Sequence, residues 1–256
     1  FQIQNSIDRY NIHDELKFSL DVCIEFLEKN NIKGTFFIVG WIGEKYPEII
    51  KDIVKNGHEV ASHALYHRRL NEQSEREVKK SLKKSKEILE DISGKEVIGF
   101  RAPDFSLPQN SEILNYMYDI GYKYDSSLVY TNIHDVYKGP LGKSRIFTFK
   151  NGLIEFPIPN ISIFKLFSVP LGGGGYLRLY PISLTRYYIK KSKNPIIYLH
   201  PYEISGKYPD NLSMNIYRKF RHTHNINKVV LKTEKVLKDF QPVSVKKYLQ
   251  INKYID

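Results

Sequence analysis

Along the chain, short apolar runs alternate with longer charged stretches whose apolar residues recur every three or four positions. The runs predict strands at Gly34–Val39, Glu59–His63, Ile98–Arg101, Tyr122–Asp125, Leu153–Pro157 and Ile196–His200, and a short one at Val243–Ser244. The charged stretches predict helices at 14–30, 44–56, 74–92, 110–120, 181–191 and 226–239. Asn56-Gly57 reads as a helix stop, because glycine takes the left-handed conformation there without a steric cost. Ser74 and Glu77 have the spacing of a capping box that opens the long helix after them. Strand–helix alternation predicts an α/β fold of parallel strands with helical crossovers. Six or seven such units suit a barrel, TIM-barrel-like, better than an open doubly wound sheet. Residues 126–180 break the rhythm with scattered Gly and Pro and the run Gly172–Gly175, and read as an insertion or long loop. No linker divides the chain, so a single domain over 1–256 is expected.

Composition changes this picture little. An apolar fraction of 41% with 13% aromatics is that of an ordinary globular protein. The 19 tyrosines and 14 phenylalanines are mainly core material, with a sugar-stacking surface as the sharper alternative. A formal net charge of +11 favours anionic neighbours, but no basic run of five or more occurs and no nucleic-acid motif is recognisable. Cys23 is the only cysteine, which excludes an internal disulfide and a cysteine-based zinc site; it reads as a core residue. No apolar run is long enough to span a membrane. No secretory leader is recognised either, so a cytoplasmic location is the expectation, with peripheral membrane association left open.

The chemistry lies where strands stop. Four predicted strands end at His63, Arg101, Asp125 and His200, and in a parallel barrel such ends converge on one face, where active sites are built. His63 and His67 are four apart, a spacing that on one helical turn brings both imidazoles to one metal ion. Neutral imidazole suits zinc, and also cobalt, nickel or iron. His200 is suited to give a proton to a leaving amine, with Asp125 available to fix its tautomer. Arg101 could orient a carboxylate base or bind an anionic group of the substrate. The glycine run lacks the following Lys-Ser/Thr of a phosphate-binding loop; a lid over a substrate groove and a plain loop both fit.

Thr35-Phe36-Phe37-Ile38-Val39-Gly40 and Gly57-His58-Glu59-Val60-Ala61-Ser62-His63 with His67 resemble the polysaccharide deacetylases of the NodB-homology type (carbohydrate esterase family 4). Arg101-Ala102-Pro103, Tyr124-Asp125-Ser126-Ser127 and Leu199-His200-Pro201 resemble that family's third, fourth and fifth motifs, in order. Gly173-Gly174-Gly175-Tyr176-Leu177-Arg178-Leu179 and Phe220-Arg221-His222 resemble a branch found with bacterial exopolysaccharide and surface-glycan gene clusters. The resemblance implies a distorted barrel of about seven strands and a divalent metal, zinc first, with His63 and His67 as ligands. It implies His200 as catalytic acid, Asp125 as the residue orienting it, and Arg101 as the tether of the catalytic base.

The family's first motif, an acidic cluster on the first strand, is not matched. In the resembled branch it lies just before a Tyr-Phe-Gln-like sequence, and this chain opens Phe1-Gln2-Ile3. Asp8 and Asp14 are the nearest acids, in a polar stretch leading into a helix. Residues 1–256 alone are therefore expected to be nearly inactive, the base and third ligand lying upstream. Hydrolysis of an N-acetyl group on a bacterial polysaccharide, surface glycan or precursor is the leading expectation. A glycan-binding pseudo-deacetylase and a hydrolase of a small cyclic amide are the alternatives. The partner expected is an N-acetylated glycan, not nucleic acid.

Overall fold

The computed structural model describes residues 12–131, 139, 144–163, 167–192, 195–207, 220 and 222–256. Phe1-Gln2-Ile3, Asp8 and Arg221 lie outside the described residues. In chain order the first half forms α1 (Ile12–Lys29), β1 (Thr35–Ile38), α2 (Gly40–Lys45), α3 (Pro47–Lys55), β2 (Glu59–Ser62), α4 (Glu75–Ser93), β3 (Gly99–Phe100), α5 (Ser111–Asp119) and β4 (Tyr124–Asp125). The second half forms β5 (Phe147–Thr148), β6 (Ile154–Glu155), β7 (Asn160–Ile163), β8 (Phe167–Pro170), α6 (Gly174–Leu179), α7 (Ile182–Lys191), α8 (Pro201–Ser205), α9 (Val229–Leu237) and α10 (Val245–Ile251).

The central sheet runs β1-β2-β3-β4-β6-β5, parallel throughout except for β5 at the edge. Parallel bridges Val129–Ile158 and Gly173–Tyr198 carry the pairing beyond the regular strands. The sheet curls around an apolar interior. The Arg101 guanidinium lies 4.3 Å from the ring centre of Phe37, on β1, and 5.7 Å from that of Tyr198, near the last bridge. Ser19 of α1 and Ser205 of α8, hydroxyls 3.2 Å apart, mark the same approach on the helical side. The result is the distorted barrel that the alternation predicts.

Two cores follow from this curl. Between sheet and helices, Ile50, Leu82, Leu89, Phe100, Met117 and Tyr122 are buried together. Inside the curl, Ile98, Tyr124, Ile154, Phe156 and Leu249 pack with Phe37 and Tyr198. Tyr124 crosses this interior and donates its hydroxyl to Glu59 Oε1 at 2.7 Å. The other oxygen of Glu59 accepts from Thr35 Oγ1 (2.5 Å) and from the backbone N–H of Lys246 in α10 (2.9 Å). One carboxylate thus ties β1, β2, β4 and the last helix.

Several predicted elements differ. Helix 44–56 is two helices, because Pro47 cannot continue α2 and instead occupies the first turn of α3. The predicted strand Ile196–His200 is only a bridge at Tyr198. Val243–Ser244 is no strand: Ser244 caps α10, its hydroxyl accepting from Lys247 N at 3.2 Å. Within residues 126–180 the strand expected at Leu153–Pro157 is present as β6, in register with the main sheet, and β5, β7 and β8 are additions that the reading as a long loop did not include. Asp14 sits in the first turn of α1, paired with His13 at 3.2 Å.

Gly99 is required by Tyr124, since a Cβ there would lie 2.2 Å from the tyrosine ring. Gly99→Ala is expected to cost about 1–3 kcal/mol, the usual penalty of overpacking a filled interior. A urea midpoint unchanged from wild type would show that the interior yields to the extra methyl.

Candidate active site at the strand ends

The backbone ladder extends one residue past each strand. His63 N–H donates to Ile38 O (2.8 Å), Arg101 N–H to Ser62 O (3.0 Å) and Ser126 N–H to Phe100 O (2.9 Å). Register alone therefore aligns His63, Arg101 and Ser126 at one end of the barrel. His63 Nδ1 lies 2.6 Å from the Arg101 carbonyl, which can only accept. The proton is thereby fixed on Nδ1 and Nε2 keeps its lone pair. Enclosure, helped by His67, pushes the His63 pKa down to about 3, so the ring is neutral at any ordinary pH.

His67 stands edge-on to His63 with ring centres 5.1 Å apart. The four-residue spacing acts here without a helix, contrary to the helical turn expected. The chain bends at Ala64 (φ +64°), pinned by Gly40 N–H to Ala64 O (2.8 Å) and by Leu65 N–H to Ser81 Oγ (3.0 Å). Burial lowers the His67 pKa in spite of the nearby Asp104 carboxylate, which raises it. Among the described residues no third His, Cys, Asp or Glu joins the pair as a metal-holding set.

Arg101 is buried and its Nε and Nη2 donate to Ser126 O (3.0 Å) and Ser126 Oγ (2.7 Å). Its guanidinium stacks on Phe37 and faces Phe105 at 5.9 Å. It is held as a rigid cation at the barrel mouth. No carboxylate pairs directly with it among the described residues.

Asp125 departs from the role expected of it. Its Oδ1 accepts from Ser127 Oγ (2.5 Å), and it sits in register with Glu155 on the neighbouring strand, both fully buried. Glu155 Oε1 accepts from Leu128 N–H (2.9 Å), while Asp125 Oδ2 and Glu155 Oε2 have no donor but each other. Burial of both disfavours two negative charges side by side, which raises both carboxyl pKa values. Burial first, then the Asp125 charge, holds Glu155 protonated far above the ordinary carboxylate range.

The carboxylate on His200 is instead Glu203. Its Oε2 accepts from both His200 Nδ1 and the His200 backbone N–H, each at 2.9 Å. Its Oε1 pairs with Arg178 of α6, and both side chains are buried. Burial alone would raise the Glu203 pKa, but the His200 hydrogen bonds and the Arg178 charge outweigh it and hold the pKa below its usual value. His200 remains 56% exposed, stacked on Tyr202 with ring centres 5.3 Å apart. It lies within electrostatic reach of both His63 and His67.

The glycine run is no lid. Tyr198 N–H donates to Gly172 O at 2.8 Å, and a Cβ on Gly173 would lie 2.3 Å from Tyr198 O. The run is a close-packed seat for α6. Sequence reading passed over Glu155, Glu203 and Arg178. The first was signalled by a charge inside a buried strand, the second by its position three residues after His200, the spacing of a helix cap.

Fold and site define a parallel α/β barrel with a histidine cluster and a buried arginine at the carboxyl ends of its strands. Residues 17–124 match the polysaccharide deacetylase family and form a domain of the NodB-homology type; residues 126–250 match a domain of unknown function, DUF3473. The peptidoglycan-N-acetylglucosamine deacetylase of Bacillus cereus is 34% identical over 100 residues, 39% of this chain and 34% of that protein. The peptidoglycan deacetylase of Helicobacter pylori is 26% identical over 198 residues, 77% of this chain and 65% of that one. The chain thus spans less than two thirds of the length of either relative. Puue allantoinase aligns with a TM-score of 0.59 at 14% identity, covering 92% of this chain and 71% of its own. A pseudoenzyme of the CE4 family from Bacillus anthracis aligns at 0.53 and 15%, covering 90% and 60%. These two likenesses show the fold alone.

The protonated Glu155 has a consequence for stability. In the unfolded chain a glutamate loses its proton near pH 4.5, whereas folded Glu155 keeps it higher. Between those pH values the folded state binds more protons, so its stability falls as pH rises. Glu155→Gln keeps the shape and needs no proton. Its melting temperature relative to wild type is expected to rise steadily between about pH 5 and 8. A pH-independent difference would mean that the fold does not hold Glu155 protonated.

Proposed function

We propose that the protein hydrolyses the N-acetyl group of an amino sugar in a bacterial polysaccharide, surface glycan or glycan precursor. The observation that carries this reading is the convergence of His63, His67, Arg101 and His200 on one end of a polysaccharide deacetylase barrel. By their names, one relative is a peptidoglycan-N-acetylglucosamine deacetylase and the other a peptidoglycan deacetylase, which supports a related substrate here.

Deacetylases of this family are metal-dependent in general, and the residues present fit a divalent ion as a half-site. His63 offers a bare Nε2, its Nδ1 proton is tied to a carbonyl, and burial keeps both imidazoles neutral, the state a ligand needs. His63 and His67 would hold the ion, zinc by preference. Bound there, it would polarise the acetamide carbonyl and acidify water. The chain's own groups supply the rest. His200 stands at the rim, half open to solvent, with one nitrogen committed to Glu203 and the other able to hand a proton to the departing amine. Arg101 offers a fixed positive charge that attracts a carboxylate base or an anionic substituent on the sugar.

Acetate release from N-acetylglucosamine oligomers and surface glycans by the full encoded protein tests the reading directly. Glycan binding without acetate release would select the pseudo-deacetylase instead. Replacing both His63 and His67 by Ala is expected to abolish stoichiometric metal in elemental analysis. Unchanged metal content would move the site elsewhere. His200→Ala is expected to lower turnover by ~10²–10⁴-fold, the usual worth of a positioned proton donor, with metal content nearly unchanged. Loss of metal in that variant would make His200 a ligand and not the acid.

A further inference from the structure

The Arg178–Glu203 pair is costly for a protein to build. Both side chains are almost wholly shielded from water, and buried ion pairs of this kind often contribute no more stability than apolar residues of the same size. Yet the pair does not stand alone in the core. Glu203 divides its two oxygens, one for Arg178 and the other for His200, which is 56% exposed at the site. A buried charge pair whose free end holds a solvent-facing imidazole has the build of a relay and not of a structural tie.

The elements around it fix this geometry from both ends. Gly173 lets α6 approach the Ile196–Tyr198 segment closely, and that segment leads directly into His200. At the other end of α6, Lys232 of α9 donates to the carbonyl of Tyr180. Pro201 opens α8, so Glu203 falls in its first turn beneath His200. Asp125 is turned to other groups: its Oδ1 accepts from Ser127, and it lies fully buried in register with Glu155, while the His200 ring bonds Glu203.

We propose that Glu203 and Arg178 are positioning residues for His200: Glu203 fixes the Nδ1–H tautomer and stabilises the imidazolium, and Arg178 keeps Glu203 ionised and in place. This rests on His200 being the proton donor of the proposed deacetylation. The relay makes the glycine-rich segment and α6 part of the reaction machinery, because they deliver Arg178. The sites facing His200 are Glu203 and Tyr202 from α8, His222, which lies 3.2 Å from the Tyr202 hydroxyl, and the pair His63 and His67. Of these, only Glu203 places an ionised carboxylate on the ring.

The test compares full-length wild type with Glu203→Gln and with the double variant Arg178→Met/Glu203→Gln. The double variant removes both buried charges together, so it stays folded even where Glu203→Gln alone, with Arg178 left unpaired, does not. The His200 ring is read by nitrogen-15 NMR on histidine-labelled protein, its signals assigned with His200→Gln. Wild type is expected to hold the Nδ1–H tautomer, because the Glu203 carboxylate can only accept from Nδ1, and both variants are expected to lose that preference, because an amide can donate as well as accept. The same single tautomer in all three proteins overturns the relay. In activity, both variants are expected to lose ~10–100-fold in turnover on an N-acetylated sugar with KM little changed. They should lose far less on 4-nitrophenyl acetate, whose leaving group departs without a proton. Equal losses on both substrates would reduce the pair to a structural role. If wild type releases no acetate from any glycan, the deacetylase reading fails, while the tautomer still decides whether Glu203 and Arg178 govern His200.

Discussion

Parallel pairing is the constraint from which the site follows. A strand paired in parallel with its neighbour must return by a crossover, so every carboxyl end points to the same side of the sheet. Here the register is explicit: Ile38 lies opposite Ser62, Ser62 opposite Phe100, Phe100 opposite Asp125, and Asp125 opposite Glu155. The residue after each of these either continues the ladder or turns into the mouth. A slip of one residue would exchange Tyr124 with Asp125, burying a charge in the apolar interior and leaving Glu59 without the hydroxyl that ties the barrel base.

The two ends of the barrel use carboxylates for opposite purposes. At the base, Glu59 accepts from a tyrosine, a threonine and a helix backbone, and is satisfied without a cation. At the mouth, Glu155 is held protonated beside Asp125, and Glu203 is kept ionised by Arg178. Such arrangements are costly for stability alone. They stand at the mouth, beside three imidazoles within electrostatic reach of each other, where the proposed reaction would need a defined set of protonation states.

The pattern of the chain revealed the strand–helix alternation, the barrel and the histidines at strand ends because these depend on local periodicity and on which residue stops a strand. His63, Arg101 and His200 were legible for that reason. What was illegible depends on contacts between distant segments. Asp125 reads as a partner of His200 from its place at a strand end, but only register shows that it lies buried beside Glu155. Glu203 lay three residues from His200, yet Arg178 is 25 residues from its partner, and nothing in the helical pattern of α6 marks which face meets α8. The glycine run fits both a lid and a plain loop in sequence because glycine signals both freedom and close approach, and only the Ile196 and Tyr198 carbonyls decide between them.

The two family matches meet at Asp125, the last residue of β4. His63, His67 and Arg101 come from the first; Glu155, Arg178, His200 and Glu203 come from the second. Electrophile binding and proton supply, in the proposed reaction, are thus contributed by different stretches of the chain. The join is not a hinge, because the ladder runs through it: Phe156 N–H donates to Asp125 O at 2.7 Å and Ile154 N–H to Lys123 O at 3.0 Å. Arg101 locks the same seam from the side, its guanidinium bonded to Ser126 just past the boundary while stacked on Phe37 far before it. A displacement of the second stretch by even one hydrogen-bond register would therefore break Arg101's contacts and carry His200 away from His63. In the proposed reaction, the stretch that matches DUF3473 is the half that holds the proton.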